Sequence, residues 1–175
     1  MSIAEAVANA TLYLTEHPDE ARYRDSAAVA LLVEGLRVDV RGVDGSALQT
    51  DMPTGIGGTA TAPSPGWILR AAIASCVASL IGIRAAVLDW QLGSVEVAVD
   101  SESDDRGILG MAEEIPAGPL SARIAVTVAA DSKRAGDVEA LVQWAIDHCP
   151  VSDAIRRAVP LEVTIRPGPD ALRQP

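Results

Sequence analysis

The chain has no phenylalanine, and its 175 residues include only three tryptophans and two tyrosines. Aromatic side chains therefore fill little of the core, although 49% of the residues are hydrophobic. A chain of this length can bury enough apolar surface for one domain. With so few bulky side chains, we expect an element that is apolar on every side to need cover from a second copy of the chain.

Positive charge is also scarce, with 14 Lys and Arg against 24 Asp and Glu and a net charge of −10. This balance argues against nucleic-acid and anionic-membrane partners. The N-terminus lacks the basic flank and apolar core of a signal peptide. The uncharged apolar run at 71–83 is shorter than the ~20 residues that span a bilayer. We therefore expect a soluble cytoplasmic protein, in which a transient catalytic disulfide is possible but a permanent one is not expected.

Metal and cofactor motifs are missing as well. The two cysteines do not form a CxxC pair, and the adjacent His148 and Cys149 are too few ligands for zinc. The segment 52–66 is rich in Gly, Pro and Thr but lacks the lysine of the phosphate-binding GxxxxGK[ST] loop, so an ordinary connector is predicted. The sequence thus predicts no metal and no cofactor.

The two cysteines stand in different settings. Cys76 lies in an apolar helical run, where we expect its thiol to be buried. Cys149 precedes Pro150, a residue favoured at the first position of a helix, so we expect Cys149 to be the more accessible thiol at a positive helix end. Such a layout suits one thiol that attacks an oxidant and a second that resolves it as a disulfide. The alternative for each cysteine is a packed small hydrophobe.

Periodicity predicts a mixed order of elements. Helices are expected at 2–16, from Ser64 or Pro65 to Asp89, from Asp131 or Ser132 to His148, and from Pro150 to Ala158. Strands are expected at 27–33, 36–41, 47–51, 92–99, 121–128 and 161–165, with an Asp-Gly turn joining the second and third. The segment 107–119 is expected to be loop with one helical turn. We divide the chain into an N-terminal helical extension at 1–26, a domain at 27–166 and a flexible tail at 167–175.

This order of elements, and the residues around both cysteines, resemble the OsmC/Ohr family of osmotically inducible and organic-hydroperoxide-resistance proteins. The resemblance covers roughly residues 27–166. It is carried by Ser64-Pro65, Leu69, Ala71-Ala72, Ala74-Ser75-Cys76, His148-Cys149-Pro150-Val151-Ser152, and a loop with Asp51-Met52-Pro53 and Gly57-Gly58. It implies an α/β fold of the α+β kind, in which antiparallel sheets wrap around central helices, assembled as an intertwined homodimer with sites at the subunit interface.

The resemblance also implies thiol peroxidase chemistry in oxidative-stress defence. The Cys76 thiolate would attack an organic or hydrogen peroxide and become a sulfenic acid. Cys149 would then resolve it as an intramolecular disulfide, which a dithiol reductant would reduce. Members of the family pair the thiolate with an arginine from an N-terminal strand, for which Arg37 and Arg41 are the candidates because they share one strand face. Both are also readily explained as solvent-facing strand residues.

One position departs from the family pattern. The glutamate that orients the activating arginine in peroxidase members falls on Gly66 here, beside the bulky Trp67. We therefore still expect peroxidase activity, but less of it than in family members that carry the glutamate. The alternative is a non-catalytic relative, a dimer that binds a small molecule or senses redox state with the same fold and thiols.

Overall fold

The computed structural model describes residues 1–131 and 133–166, which fold into five helices and two antiparallel sheets. The helices are α1 Ile3–Glu16, α2 Pro65–Val87, α3 Asp105–Ile108, α4 Ala135–Asp147 and α5 Pro150–Arg156, with short 3-10 turns at Pro18–Ala21 and Thr54–Ile56. The strands are β1 Ala28–Glu34, β2 Arg37–Gly42, β3 Ala47–Thr50, β4 Leu92–Glu102 and β5 Ser121–Ala130. The predicted α+β class is confirmed.

The two sheets differ in how much of them is covered. The first has the order β1-β2-β3, and the predicted turn at Asp44-Gly45 joins its last two strands, with Gly45 at a φ of 87° that favours glycine. Every residue of β1 is exposed. The second sheet pairs β4 with β5 along almost their whole length, and its alternate residues face the helices.

Helix α2 forms the centre of the packed region. The Ser64 side chain caps its first turn by accepting a hydrogen bond from the N–H of Trp67, and Pro65 occupies the first helical position. Its buried residues recur every four positions, at Ile73, Val77, Ile81 and Ala85. This stripe packs against α4 and β4, and the core is completed by Leu141, Ala145 and Cys149.

Helix α2 extends past the uncharged run at 71–83 at both ends. By length and composition alone it is therefore long and apolar enough to cross a membrane. In this structure its buried stripe lies against α4 and β4, as in the central helix of a packed domain. It ends two residues before the predicted Asp89, which adopts a positive φ of 54° and breaks the helical path.

Two sequence predictions are wrong in detail. The strand expected at 161–165 does not form, and Leu161, Val163 and Ile165 are each at least 80% exposed. An alternating pattern specifies the two faces of a strand, but it does not specify a neighbouring strand with which to form hydrogen bonds. Helix α4 begins after Arg134, not Asp131, and Arg134 pairs with Asp137 in the first turn. Ser132, the other predicted cap, and the predicted tail at 167–175 lie outside the described residues.

Candidate functional site

The two cysteines meet where α4 ends and α5 begins beside α2. Cys149 is the residue that caps α5, and it belongs to the same buried cluster as Val77 on α2. Cys76, the residue before Val77, packs against that cluster from its edge. Cys76 and Cys149 lie close enough for each to affect the pKa of the other, and both are free thiols. The fold thus brings together two thiols that are far apart in the sequence.

The burial of the two thiols is the reverse of the prediction. Cys149 is fully buried, whereas Cys76 is only partly buried. Cys76 lies one position beside the stripe of α2 that enters the core, so one side of its side chain remains open. Cys149 turns its sulfur back over the first turn of α5, which encloses it. A small oxidant can therefore reach Cys76 more easily than Cys149 in a single chain.

Ser152 holds the sulfur of Cys149 with two hydrogen bonds. Both the backbone N–H and the hydroxyl of Ser152 donate to the Cys149 sulfur at 3.4 Å. Ser152 is itself only 8% exposed. Cys149 is the N-cap of α5 and Ser152 is the third residue of that helix, whose N–H commonly donates to the side chain of an N-cap. The spacing Cys-Pro-x-Ser is the signal that could have identified Ser152 from the sequence.

The contact gives the two thiols different acidities. Burial raises the pKa of Cys76, and the hydrogen bond to Cys149 raises it further, against an opposing effect of the N–H of Val151. Burial also acts to raise the pKa of Cys149. The hydrogen bonds from the hydroxyl and N–H of Ser152, together with those from Cys76 and Val151, outweigh it and leave that pKa below its ordinary value. The first proton lost from the pair therefore leaves the charge mainly on Cys149.

Neither candidate arginine pairs with a thiol in the single chain. Arg37 forms an ion pair with Glu34 at 3.1 Å, and its Nε atom is buried without a hydrogen-bond partner among the described residues. Arg41 pairs with Asp39 at 3.5 Å and has a side chain that is 75% exposed. Of the two, Arg37 is the one with an unsatisfied donor.

The two arginines of α2 point away from Cys76, as their spacing predicts. Arg70 donates to the hydroxyl of Ser101 on β4 at 3.1 Å, and the guanidinium of Arg84 lies 4.9 Å from the ring centroid of Trp144. Gly66 has open space where a side chain would begin, because the nearest atom to an added Cβ is an Arg70 nitrogen at 4.0 Å. Position 66 therefore has room for a longer side chain.

A cavity of about 730 Å³ opens at the start of α2, between the loop 52–66 and the connection that follows β4. Gly66, Leu69 and Arg70 contribute to its wall, together with apolar residues such as Ile108 and Leu109. Leu69 stands two helical turns before Cys76 on the same face of α2. The cavity can hold a small, largely apolar molecule at the start of α2, and Cys76 does not line its wall.

The loop beside this cavity is built around the buried carboxylate of Asp51. It accepts hydrogen bonds from the N–H of Met52 and from both the N–H and the hydroxyl of Thr59 and of Thr61. These bonds hold the pKa of Asp51 far below its usual range. Gly58 is required here, because a Cβ at that position would lie 1.8 Å from the carbonyl oxygen of Met52. The predicted connector is thus a fixed wall of the cavity.

Residues 1–131 and 133–166 contain no group of three or more His, Cys, Asp or Glu side chains that could hold a metal ion. His148 stacks on Trp144 and shares a hydrogen bond with its backbone carbonyl at 2.8 Å, so it turns away from the sulfur of Cys149.

Comparison with solved structures places the fold among hydroperoxide-resistance proteins. An organic hydroperoxide resistance protein OsmC from Legionella pneumophila is 25% identical, with a TM-score of 0.54 and coverage of 77% of this chain and 92% of that one. An OsmC-like protein from Mycoplasma pneumoniae is 12% identical at a TM-score of 0.65, covering 77% and 89%. An organic hydroperoxide resistance protein from Elizabethkingia anophelis is 18% identical at 0.57, covering 77% and 90%.

No curated protein matches the chain. A family model described as OsmC-like protein matches residues 58–164, a segment that contains both cysteines, Ser152 and all of α2. The family is associated with hydroperoxide resistance and the response to osmotic stress. Since the matched segment spans more than half of the chain, this protein belongs to the OsmC-like family.

Proposed function

We propose that this protein is a thiol-dependent peroxidase that reduces organic or hydrogen peroxides through the Cys76 and Cys149 pair in oxidative-stress defence. The observation that carries the proposal is the packing of the partly open Cys76 against the buried cluster that contains Cys149. A peroxide must reach the first thiol, and the second must lie within bonding reach of it. The partial exposure of Cys76 and its packing beside Cys149 support both requirements, and the apolar cavity at the start of α2 suits an organic substrate.

The chemistry follows from the positions of the sulfurs. The Cys76 thiolate attacks the terminal peroxide oxygen, the O–O bond breaks, and an alcohol leaves while Cys76 becomes a sulfenic acid. The sulfur of Cys149 then attacks the sulfur of Cys76, and hydroxide leaves as the disulfide forms. A dithiol reductant restores both thiols. Cys76 is the attacking residue because it is the more exposed of the two.

A second copy of the chain completes the site in this proposal. The N-terminal sheet carries Arg37, whose buried Nε has no acceptor among the described residues. In an intertwined homodimer, the sheet of one copy would cover the other, and Arg37 would face the thiol pair. Arg41 is the second candidate, but its ion pair with Asp39 and its exposure make it less available. We place the protein in the cytoplasm, where dithiol reductants keep such thiols reduced.

The test is consumption of cumene hydroperoxide in the presence of dithiothreitol. The wild type should consume many equivalents. The Cys76→Ser variant should consume none. The Cys149→Ser variant, tested without dithiothreitol because a dithiol reduces a sulfenic acid directly, should consume one equivalent and stop at the sulfenic acid. Ser75→Ala is the matched control, because Ser75 is exposed beside Cys76 and bonds only to the carbonyl of Ala72. Wild-type consumption by Cys76→Ser would contradict the assignment.

The second candidate is a non-catalytic dimer that binds a small molecule or senses redox state. The observation that favours it is Gly66, which leaves the arginine of the family without its orienting carboxylate. A guanidinium held by such a pair is typically stabilised by about 1.5 to 3 kcal/mol. A wild type that consumes no peroxide, while still binding an apolar ligand in the cavity at Leu69, would favour this function over the peroxidase.

A further inference from the structure

Cys149 also has a role in the reaction of Cys76 before the disulfide forms. We infer that Cys149 is the base that receives the proton of Cys76 during the attack on peroxide, and that Ser152 is the residue that positions it for this role. The inference rests on the proposed function and adds the proton path to it. It gives this chain a local source of activation where Gly66 removes the carboxylate of the family.

The geometry supports the inference in two ways. Cys149 is fully buried, so an external oxidant does not meet it, yet Cys76 packs against the cluster that contains it. Two donors of Ser152 converge on it at 3.4 Å, and a sulfur that accepts several hydrogen bonds is stabilised as the thiolate. The direction of the pKa shifts agrees, since that of Cys149 is lowered and that of Cys76 is raised.

Other charged groups on the packed elements pair elsewhere or are exposed to solvent. On α2, Arg70 bonds to Ser101 and Arg84 lies over Trp144. Around α4 and α5 most ionisable side chains pair with one another or with the backbone: Arg134 with Asp137, Arg156 with Asp147, Arg157 with Asp153 and His148 with the Trp144 carbonyl. On β4, Asp100 pairs with Arg123 of β5, while Glu96 and Glu102, like Glu139 of α4, are exposed to solvent. Ser152, Val151 and the two thiols therefore dominate the titration of the pair.

Protons and electrons balance over one turnover. The proton of the Cys76 thiol moves to the Cys149 thiolate as the Cys76 sulfur bonds to the terminal oxygen of the hydroperoxide. The O–O bond breaks, and the departing alkoxide takes the proton back from Cys149 to leave as the alcohol. Cys149 is then a thiolate again. It attacks the sulfenic sulfur, the S–O bond breaks, hydroxide leaves and the disulfide forms, with the hydroperoxide as the two-electron oxidant.

The test compares two pH midpoints in the reduced full-length protein. The first is the midpoint of the first increase in ultraviolet thiolate absorbance as the pH is raised. The second is the midpoint of the pH dependence of the first-turnover rate with cumene hydroperoxide. Loss of the Ser152 hydroxyl in Ser152→Ala should raise both by about one pH unit, because one charge-assisted hydrogen bond disappears. Ser152→Thr should restore most of the shift, and Ser75→Ala should leave both midpoints unchanged.

A further variant checks the base itself. Cys149→Ser carries a hydroxyl that is not a base near neutral pH, so its single turnover should be about a hundredfold slower than that of the wild type. Two results would overturn the base role while leaving the proposed peroxidase function intact. One is a first turnover of Cys149→Ser at the wild-type rate, and the other is a pH midpoint of the rate that does not change in Ser152→Ala. A wild type that titrates as expected but consumes no peroxide would overturn the proposed function and the base role together.

Discussion

Asp51 fixes the loop beside the cavity through five hydrogen bonds to its carboxylate. All five partners are donors, from the backbone of Met52 and from Thr59 and Thr61. Only an ionised carboxylate can accept from all of them, which is why its pKa is far below the ordinary value of 3.8. A depressed folded-state pKa stabilises the protein above the unfolded value, and that contribution is lost as the pH falls below 3.8 toward the folded value.

The Asp51→Asn variant should therefore unfold at a lower temperature than the wild type at neutral pH. The amide presents two donor hydrogens among groups that are themselves donors, so at least one buried bond is lost. The difference in Tm should shrink as the pH is lowered below 3.8, because Asp51 of the unfolded wild type then binds a proton that the folded carboxylate does not, which favours unfolding. Asp25→Asn, at an exposed aspartate, is the control. A difference in Tm that stays constant across this range would contradict the role of the charge.

The site was only partly predictable from its residues. The pairing of Cys76 with Cys149 could be inferred because the surrounding motifs resemble those of a family. The order of burial could not, because α2 is apolar on most sides and its sequence does not specify which side faces α4. The enclosure of Cys149 depends on the helix cap made with Ser152, a contact that only the folded turn reveals.

Helix α2 is held mainly by the stripe that Ile73, Val77, Ile81 and Ala85 present to α4 and β4. Cys76 stands beside this stripe, so the packing that fixes the helix also fixes the position of the thiol. A shift of α2 by even a fraction of a turn would move Cys76 away from Cys149. Stability of the core and geometry of the thiol pair are therefore linked.

Val77→Ala should reduce the free energy of unfolding by about 2 kcal/mol, since it removes two fully buried methyl groups and leaves a small cavity. Val87→Ala is the matched control on the same helix, where the side chain is 42% exposed, and should change the free energy by less than about 0.5 kcal/mol. Chemical denaturation measures both. Equal effects at the two positions would show that the stripe does not carry the core.

Most elements followed from periodicity, and the exceptions have physical causes. Strands β2, β4 and β5 match alternation in the sequence and the long helices match helical spacing, while β1 matches an apolar run and β3 follows the Asp-Gly turn. Residues 161–165 alternate equally well, but alternation does not specify a partner strand, and in this structure they form no strand. The start of α4 moved because Arg134 stabilises the first turn through Asp137, an interaction that a search for Ser or Asp caps does not consider.

The molecule as described leaves much apolar surface uncovered. Every residue of β1 is exposed, and the side chains of Val29, Leu31 and Leu32 are each more than 60% accessible. A sheet with both faces open is unusual for a folded protein in water. Coverage by a second copy would bury this strand and bring Arg37 toward the thiols of the partner.

We expect the protein to run as a dimer of twice 18.2 kDa in sedimentation analysis. Leu31→Asp should weaken this dimer by more than about tenfold, because each of the two interfaces would bury an unpaired charge. Val43→Asp, in the exposed turn after β2, should leave the dimer unchanged. A stable folded monomer of the wild type, or equal effects of the two substitutions, would contradict the pairing of β1 with a second copy.

Free thiols counted after addition of one equivalent of cumene hydroperoxide decide whether the Cys76 and Cys149 pair acts as one redox unit. Both thiols should disappear together, and a peptide map should recover a single disulfide linking the segments that contain Cys76 and Cys149. Dithiothreitol should then return both thiols. Two thiols still free after the peroxide has been added, or Cys76 oxidised with Cys149 left free, would contradict a disulfide-forming peroxidase in this chain.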